Sequence, residues 1–252
     1  MELTIEQIND YRECPLMYKL KHVNQIEFDD KSKKQEFKDK MRKVVQYYYY
    51  NLMDGNVPTE SQLRAKWDSL WYDQNKSKAE MIFEERTAVN KLGLKGYSII
   101  KTFYRNVSAN PGAPIIVDWD FEVPVGKHLV SGNIELVREL KEGYDRNIEI
   151  VGFRFGGNVP KKFIARVDLN LTLQAHGLRK LLQGKEQRLI YWYPENDKKI
   201  YTMRDRDSFK RLESTVENIA KGIEHEIYYP RERRYRCRSC SYKDLCEVWT
   251  GE

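Results

Sequence analysis

Chemistry in this sequence is concentrated in four cysteines. Three lie in Cys237-Arg238-Ser239-Cys240-Ser241-Tyr242-Lys243-Asp244-Leu245-Cys246; the fourth, Cys14, lies near the other end, before Pro15. The two-residue gap between Cys237 and Cys240 lets two thiolates reach one centre from a tight turn, and the five-residue gap to Cys246 suits a third after a short loop. With Cys14 they make an all-cysteine, four-ligand set that suits zinc or an iron–sulfur cluster. The competing reading, unrelated buried thiols, is weakened because every cysteine of the chain takes part. A set split across the whole chain is also less typical of small zinc modules, whose ligands are local. Such a centre would bring the two ends together and make everything between them a closed loop.

The elements that must carry this set are bounded by composition. At 252 residues the chain fits one large domain or two small ones, and 40% hydrophobic residues suffice for a core. The balance of 44 Lys and Arg against 38 Asp and Glu, net +6, points to nucleic acid only where the basic residues cluster. An aromatic content of 12% argues against disorder. No apolar run is long enough for a membrane span, and Met1-Glu2-Leu3-Thr4-Ile5-Glu6 lacks the features of a signal peptide. A cytoplasmic, reducing setting is expected, with no membrane partner, and there such cysteines bind metal more often than they form disulfides.

Thr4-Ile5-Glu6-Gln7 has the form of a capping box, opening a short helix that ends at Cys14-Pro15. Residues 29–36 read as a polar loop, and Phe37, Met41, Val44, Val45, Tyr48 and Leu52 then recur at helical spacing. Thr59-Glu60-Ser61-Gln62 is a second capping box, with Leu63, Trp67, Leu70 and Trp71 inward. A helical stretch from about Ser77 to Val107 is expected to kink or split at Gly93 and Gly96. After Asn110-Pro111-Gly112 the pattern turns to strands over 115–125, 128–139 and 147–155, a meander with its last turn at Lys141-Glu142-Gly143. A helix over 168–183 capped by Gly184, short strands over 188–193 and 199–203, and a helix over 209–227 complete the body.

The segment Ile5-Glu6-Gln7-Ile8-Asn9-Asp10-Tyr11, with Cys14-Pro15 and Tyr18-Lys19-Leu20 following, resembles the opening of RecB-like nucleases. The resemblance is closest to their iron–sulfur branch, which includes the AddB nuclease domain and the CRISPR-associated RecB-type exonucleases. The ending Tyr229-Pro230-Arg231 through Cys246 resembles that branch equally, so the likeness covers nearly the whole chain. It implies that Cys14, Cys237, Cys240 and Cys246 hold a [4Fe-4S] cluster, with zinc as the alternative. The implied fold is α/β and restriction-endonuclease-like (PD-(D/E)XK), a mixed sheet flanked by helices. Residues 1–110 would be a helical region, 111–228 the nuclease-like core and 229–252 a tail packing back on the N-terminus, in one integrated domain.

The family's catalytic positions are altered. Arg42 stands where an early-helix histidine is expected, after Phe37. Glu135, in Gly132-Asn133-Ile134-Glu135-Leu136-Val137, replaces an aspartate. In Val151-Gly152-Phe153-Arg154, Gly152 replaces the acid of the (D/E)-x-K pair and Arg154 the lysine. Asn170 and Gln174 occupy the places of a Gln-x-x-x-Tyr signature. The family reaction needs acidic oxygens for Mg²⁺ or Mn²⁺ and a lysine near the attacking water. Glu135 retains a donor, Gly152 offers none, and an arginine stays protonated and shuttles protons poorly. Glu149, three residues before Gly152, faces the other way by alternation and is a poor substitute. Either Arg42 and Arg154 hold a phosphate where metals once sat, or they pair with Glu135 and fill the site.

Arg231-Glu232-Arg233-Arg234-Tyr235-Arg236-Cys237-Arg238 sets five arginines and a tyrosine beside the presumed cluster, a candidate DNA-binding run. Lys161-Lys162 follows the altered strand and could line the same groove. His128 and His176 read as structural. The resulting expectation is an iron–sulfur, RecB-nuclease-like DNA-binding protein that no longer cuts. Its place would be recombination, repair, replication or mobile-element biology, on DNA of single-stranded or end character as in its relatives. The alternatives are an active exonuclease with a rearranged site, using Glu135 and a displaced lysine such as Lys161, which alone would need Mg²⁺ or Mn²⁺, and an adaptor serving as the inactive subunit of a nuclease or helicase assembly.

Overall fold

The computed structural model describes residues 1–26, 33–72, 83–142, 145–157, 159–181, 186 and 188–249. Its elements run β1 (Glu2–Thr4), α1 (Ile5–Glu13), α2 (Pro15–Tyr18), a π-helical turn (Lys19–Val23), α3 (Lys33–Met53), α4 (Glu60–Trp71), α5 (Phe83–Ala109), β2 (Ala113–Val125), β3 (His128–Glu142), β4 (Asp145–Phe153), α6 (Lys162–Arg166), α7 (Leu169–Leu181), β5 (Arg188–Tyr193), β6 (Lys198–Thr202), α8 (Arg206–Glu224) and α9 (Arg234–Cys237). The strands make a mixed six-stranded sheet in the order β1-β3-β4-β5-β6, with β2 also on β3. A run of helices, α1 to α5, precedes the strands β2 to β4, in a mixed α/β architecture. Among the described residues no helix is long and apolar enough to cross a membrane.

The chain divides into two compact units. The first is Met1–Asp30, Glu122–Gly132 and Asp205–Glu252; the second is Lys31–Phe121 and Asn133–Arg204. In the first, β1 lies parallel to the opening of β3, with Leu3 opposite Val130. Thr4 caps α1 through its hydroxyl, which accepts the Gln7 N–H at 3.0 Å, while Gln7 Oε1 accepts the Thr4 N–H at 2.8 Å. The buried face of α8, with Leu212, Val216, Ile219 and Ala220, packs near α1. A side chain at Gly222 would start 2.2 Å from the Tyr11 hydroxyl, so the two helices meet where only glycine fits.

In the second unit β3 and β4 are antiparallel, with Leu136 opposite Val151. β4 and β5 are parallel, with Gly152 opposite Tyr191, and β6 is antiparallel on β5. Helices α3, α4 and α5 bury one apolar core with Leu136, Val151, Phe153, Ile190 and Trp192. Trp67 and Trp71 stack at 5.1 Å, and Phe37 meets Trp67 edge-on at 5.5 Å. Their indole N–H groups donate to the Gly93 and Val89 carbonyls.

Several sequence expectations change. Helix α5 runs unbroken through Gly93 and Gly96. A side chain at Gly96 would lie 2.3 Å from the Trp67 ring, so this glycine serves close approach and makes no kink. Residues 33–36 are the first turn of α3. β1, α2 and the π turn are unforeseen because three to five residues carry no readable period. The expected helix start at 77–82, Gly143 of the expected turn and the Gly184 cap lie outside the described residues, while Lys141 and Glu142 belong to β3.

Candidate functional site

The second unit brings together Arg42, Glu135, Gly152 and Arg154, the residues set against the nuclease motifs by the sequence resemblance. Glu135 stands one residue before the first paired residues of β3 and β4, at the mouth of that ladder. Its Oε2 accepts the Phe153 N–H at 2.5 Å. Its Oε1 accepts from Arg42 Nε at 3.3 Å and pairs with Arg154 Nη1 at 3.6 Å. Arg42, delivered by α3, also pairs with Asp39 at 3.1 Å. Arg154 Nη1 donates to the Phe153 carbonyl at 2.8 Å, and its guanidinium lies 4.0 Å from the centre of the Tyr191 ring.

Gly152 is covered. A Cβ placed there would lie 3.1 Å from the Tyr191 ring and 3.5 Å from Arg154 Nη1, so a longer acid has no room unless the ring moves. Burial above all raises the Tyr191 pKa, with Asp168 adding to the effect and Arg154 opposing it. Tyr191 therefore stays a neutral phenol that hydrogen-bonds Asp168. Asp168 itself caps α7, its carboxylate accepting the Leu171 N–H at 2.9 Å. Burial works against the Arg154 charge, but Tyr191, Glu135 and Asp168 outweigh it and leave its pKa raised. The void lined by Arg42, Val45, Gln46, Tyr49, Val117, Glu135 and Phe153 measures ≈ 10 Å³, about the room of one water.

This arrangement does not fit Mg²⁺ or Mn²⁺. Both oxygens of Glu135 are engaged, two guanidiniums lie within 4 Å of one of them, and Gly152 supplies no donor. Of the two roles considered for Arg42 and Arg154, the observed one is pairing with Glu135. Gln174 Nε2 donates to the Asn133 carbonyl at 2.8 Å, two residues before Glu135, while Asn170 lies half-buried at the start of α7. Asn133 Nδ2 donates to Asp118 and Asp120 at 3.0 and 2.9 Å. Glu149 points away from Gly152 and is held by Arg138 and Arg188.

Sequence reasoning missed Tyr191 and Asp168. Asp168 had a local signal, an acid one residue before the helix it caps. Tyr191 had none, because its place over Gly152 depends on parallel pairing of residues 39 positions apart, with α7 between them. Lys161 and Lys162 are exposed at the start of α6.

The first unit holds all four cysteines, each free and half-buried. Burial pushes the Cys240 thiol up, a backbone hydrogen bond from Tyr242 opposes this, and Cys14, Cys237 and Cys246 each add to the rise. The Arg231 N–H points to Cys14 Sγ at 3.3 Å and the Arg233 N–H to Cys237 Sγ at 3.5 Å. Among the described residues, however, no three His, Cys, Asp or Glu side chains close to the arrangement of a bound ion.

The arginine run is partly committed to structure. The Arg231 guanidinium donates to the Arg12 carbonyl, and Arg236 pairs with Glu13 at 3.2 Å. Arg233 and Arg238 are exposed, and the side chains of Arg234 and Tyr235 lie outside the described residues. His128 is buried and bonds Glu217 at 2.7 Å, a structural contact.

Comparison with known proteins adds three findings. The sequence profile of the PD-(D/E)XK nuclease superfamily matches residues 2–247. No curated protein matches the chain. The crystal structure of SSO0001 is similar at 14% identity, over 84% of this chain and 94% of that one, with a TM-score of 0.36.

Proposed function

The chain belongs to the PD-(D/E)XK nuclease superfamily, and from that premise we propose that it is a DNA-binding member that does not cut. The observation that carries this reading is the state of Glu135. The one acid left at the motif positions is neutralised by Arg42 and Arg154 and capped by the Phe153 N–H. Beside it, Tyr191 lies over the glycine that replaces the second acid. A hydrolytic site would need those oxygens turned toward metal ions and a group that can give up a proton near water. Arg154 supplies neither.

In this reading Cys14, Cys237, Cys240 and Cys246 hold a [4Fe-4S] cluster, and zinc is the alternative occupant. The cluster would act as a covalent tie within the first unit. What supports the reading is that the Arg231 and Arg233 N–H groups already point at two of these sulfurs, Cys14 and Cys237. The exposed Arg233 and Arg238, with Lys161 and Lys162, are the proposed DNA contacts, and recombination, repair, replication or mobile-element biology is the proposed setting.

The test is incubation of the purified protein with labelled single- and double-stranded DNA and Mn²⁺, in parallel with a binding titration over a salt series. Binding that weakens with salt, without cleavage, is the expected result. Cleavage that disappears in Glu135→Ala overturns the inactive assignment, and absence of binding overturns the DNA assignment in favour of an adaptor.

A further inference from the structure

Helix α6 is short and sits where the altered strand β4 hands over to α7. It is firmly placed. The buried Arg204 donates to the Ala165 carbonyl at 2.8 Å and to the Asp168 carbonyl at 3.2 Å, while its Nε donates to Thr172 Oγ1 at 2.7 Å. Only Ala165 of the helix is buried. The rest of the segment faces outward: Phe163 is 62% exposed, Val167 57% and Ile164 44%. Interleaved with them are Lys161, Lys162 and Arg166, also exposed. No ion pair to any of these three cations occurs among the described residues, although most other arginines of this unit are paired. Strand β6, which packs against α6, adds Tyr201, 42% exposed, with Lys198 on the same strand, and Met203 just after it is 70% exposed.

A large exposed ring on a fixed support, flanked by unpaired cations, is an arrangement with a specific ligand chemistry. The ring loses little conformational freedom on stacking, and the cations have no internal acid to displace. An apolar protein surface would leave the cations unmatched, whereas a chain of phosphates with unpaired bases matches both features. Duplex DNA hides its base faces and offers the ring nothing. We propose that α6 is a landing for single-stranded nucleic acid, with an unpaired base stacked on Phe163 and the neighbouring phosphates held by Lys161, Lys162 and Arg166. This rests on the DNA-binding reading above and adds to it the strand form and the stacking residue.

The experiment is fluorescence anisotropy with a labelled oligothymidylate and with a duplex of equal length. Phe163→Ala, an exposed change that spares the core, weakens single-strand binding roughly tenfold, and Phe163→Trp restores it. Duplex binding stays within about twofold, since stacking is absent there. Lys161→Ala, Lys162→Ala and Arg166→Ala combined flatten the dependence of log K on log salt by about 2, at about 0.7 per phosphate contact. Unchanged single-strand binding in Phe163→Ala, or an equal loss on duplex, overturns the inference and leaves the DNA-binding reading standing. A Phe163-dependent dimer in sedimentation without nucleic acid overturns it in favour of a second copy of this chain. Failure of the unaltered protein to bind either oligonucleotide overturns both.

Discussion

Two carboxylates of the second unit are each gripped by two arginines. Glu149 accepts from Arg138 at 3.1 and 3.0 Å through one oxygen and pairs with Arg188 at 2.7 Å through the other. Its side chain is 1% exposed and that of Arg138 3%. Glu135 meets Arg42 and Arg154 at 3.3 and 3.6 Å, with 17% of its side chain exposed and 31% and 27% of theirs. Arg138 is further fixed by the Tyr49 hydroxyl and the Pro111 carbonyl. Burial by itself lowers the Arg138 pKa, but Tyr49 and Glu149 outweigh it and hold the charge in place. The first cluster is a sealed internal strut. The second is a loose, half-open pairing at the mouth of a strand ladder. The same residue types serve support in one place and occupancy in the other, and burial separates the roles.

The contrast sets a large difference in stability. Glu149→Ala leaves Arg138 charged and buried, and the expected loss is about 3–5 kcal/mol in urea unfolding. Glu135→Ala removes a partly solvated pairing, and the expected loss is about 1 kcal/mol or less. Equal losses would break the comparison by making Glu135 a structural strut as well. A smaller effect tests the covered glycine. Gly152→Asp forces the new side chain against Tyr191 at the 3.1 Å contact, with an expected loss of about 1–3 kcal/mol and no gain of cleavage. Pairing it with Tyr191→Ala removes that clash, so the double variant is expected to be more stable than additivity of the two single changes predicts.

The smallest effect is a pH dependence in the first unit. Hydrogen bonds from His128 and then Lys221, with Lys127 adding, push the Glu217 carboxyl down to about 2 from an ordinary 4.5. A depressed carboxyl stabilises the fold above its unfolded value and loses that contribution as pH falls through its folded one. The window is therefore between about 4.5 and about 2. Acid unfolding of Glu217→Gln is expected to lack this part of the pH dependence, and an unchanged profile would remove Glu217 from the account.

What could be read in the sequence was local. The capping boxes at Thr4 and Thr59 are each complete within four residues, and both form as written. The turning of Glu149 away from Gly152 follows from strand alternation alone. Gly93 and Gly96 were misread because their partners, Trp71, Tyr72 and Trp67, lie on another helix, and sequence shows a glycine's freedom but not its neighbours. Helix α6 escaped notice because five residues cannot display a helical period. Pairing of Arg42 and Arg154 with Glu135 could be named from the motif positions, but not chosen over phosphate binding, since that depends on distances. Tyr191 over Gly152 depends on β5 lying beside β4, a fact of topology.

The first unit is stitched by bonds between distant parts of the chain. The Tyr11 hydroxyl donates to the Ile227 carbonyl, the Leu16 N–H to the Tyr229 carbonyl, and the Tyr242 hydroxyl to the Ile26 carbonyl. During synthesis the opening helix therefore emerges more than two hundred residues before its partners exist. All of Lys31–Arg204 is made in that interval, so the second unit has the time to fold first. The Tyr11 hydroxyl of α1 waits without its Ile227 acceptor until the tail arrives. The oldest part of the nascent chain is thus the last to find its place, and the rate of that final joining belongs to the slow class of long-range contacts.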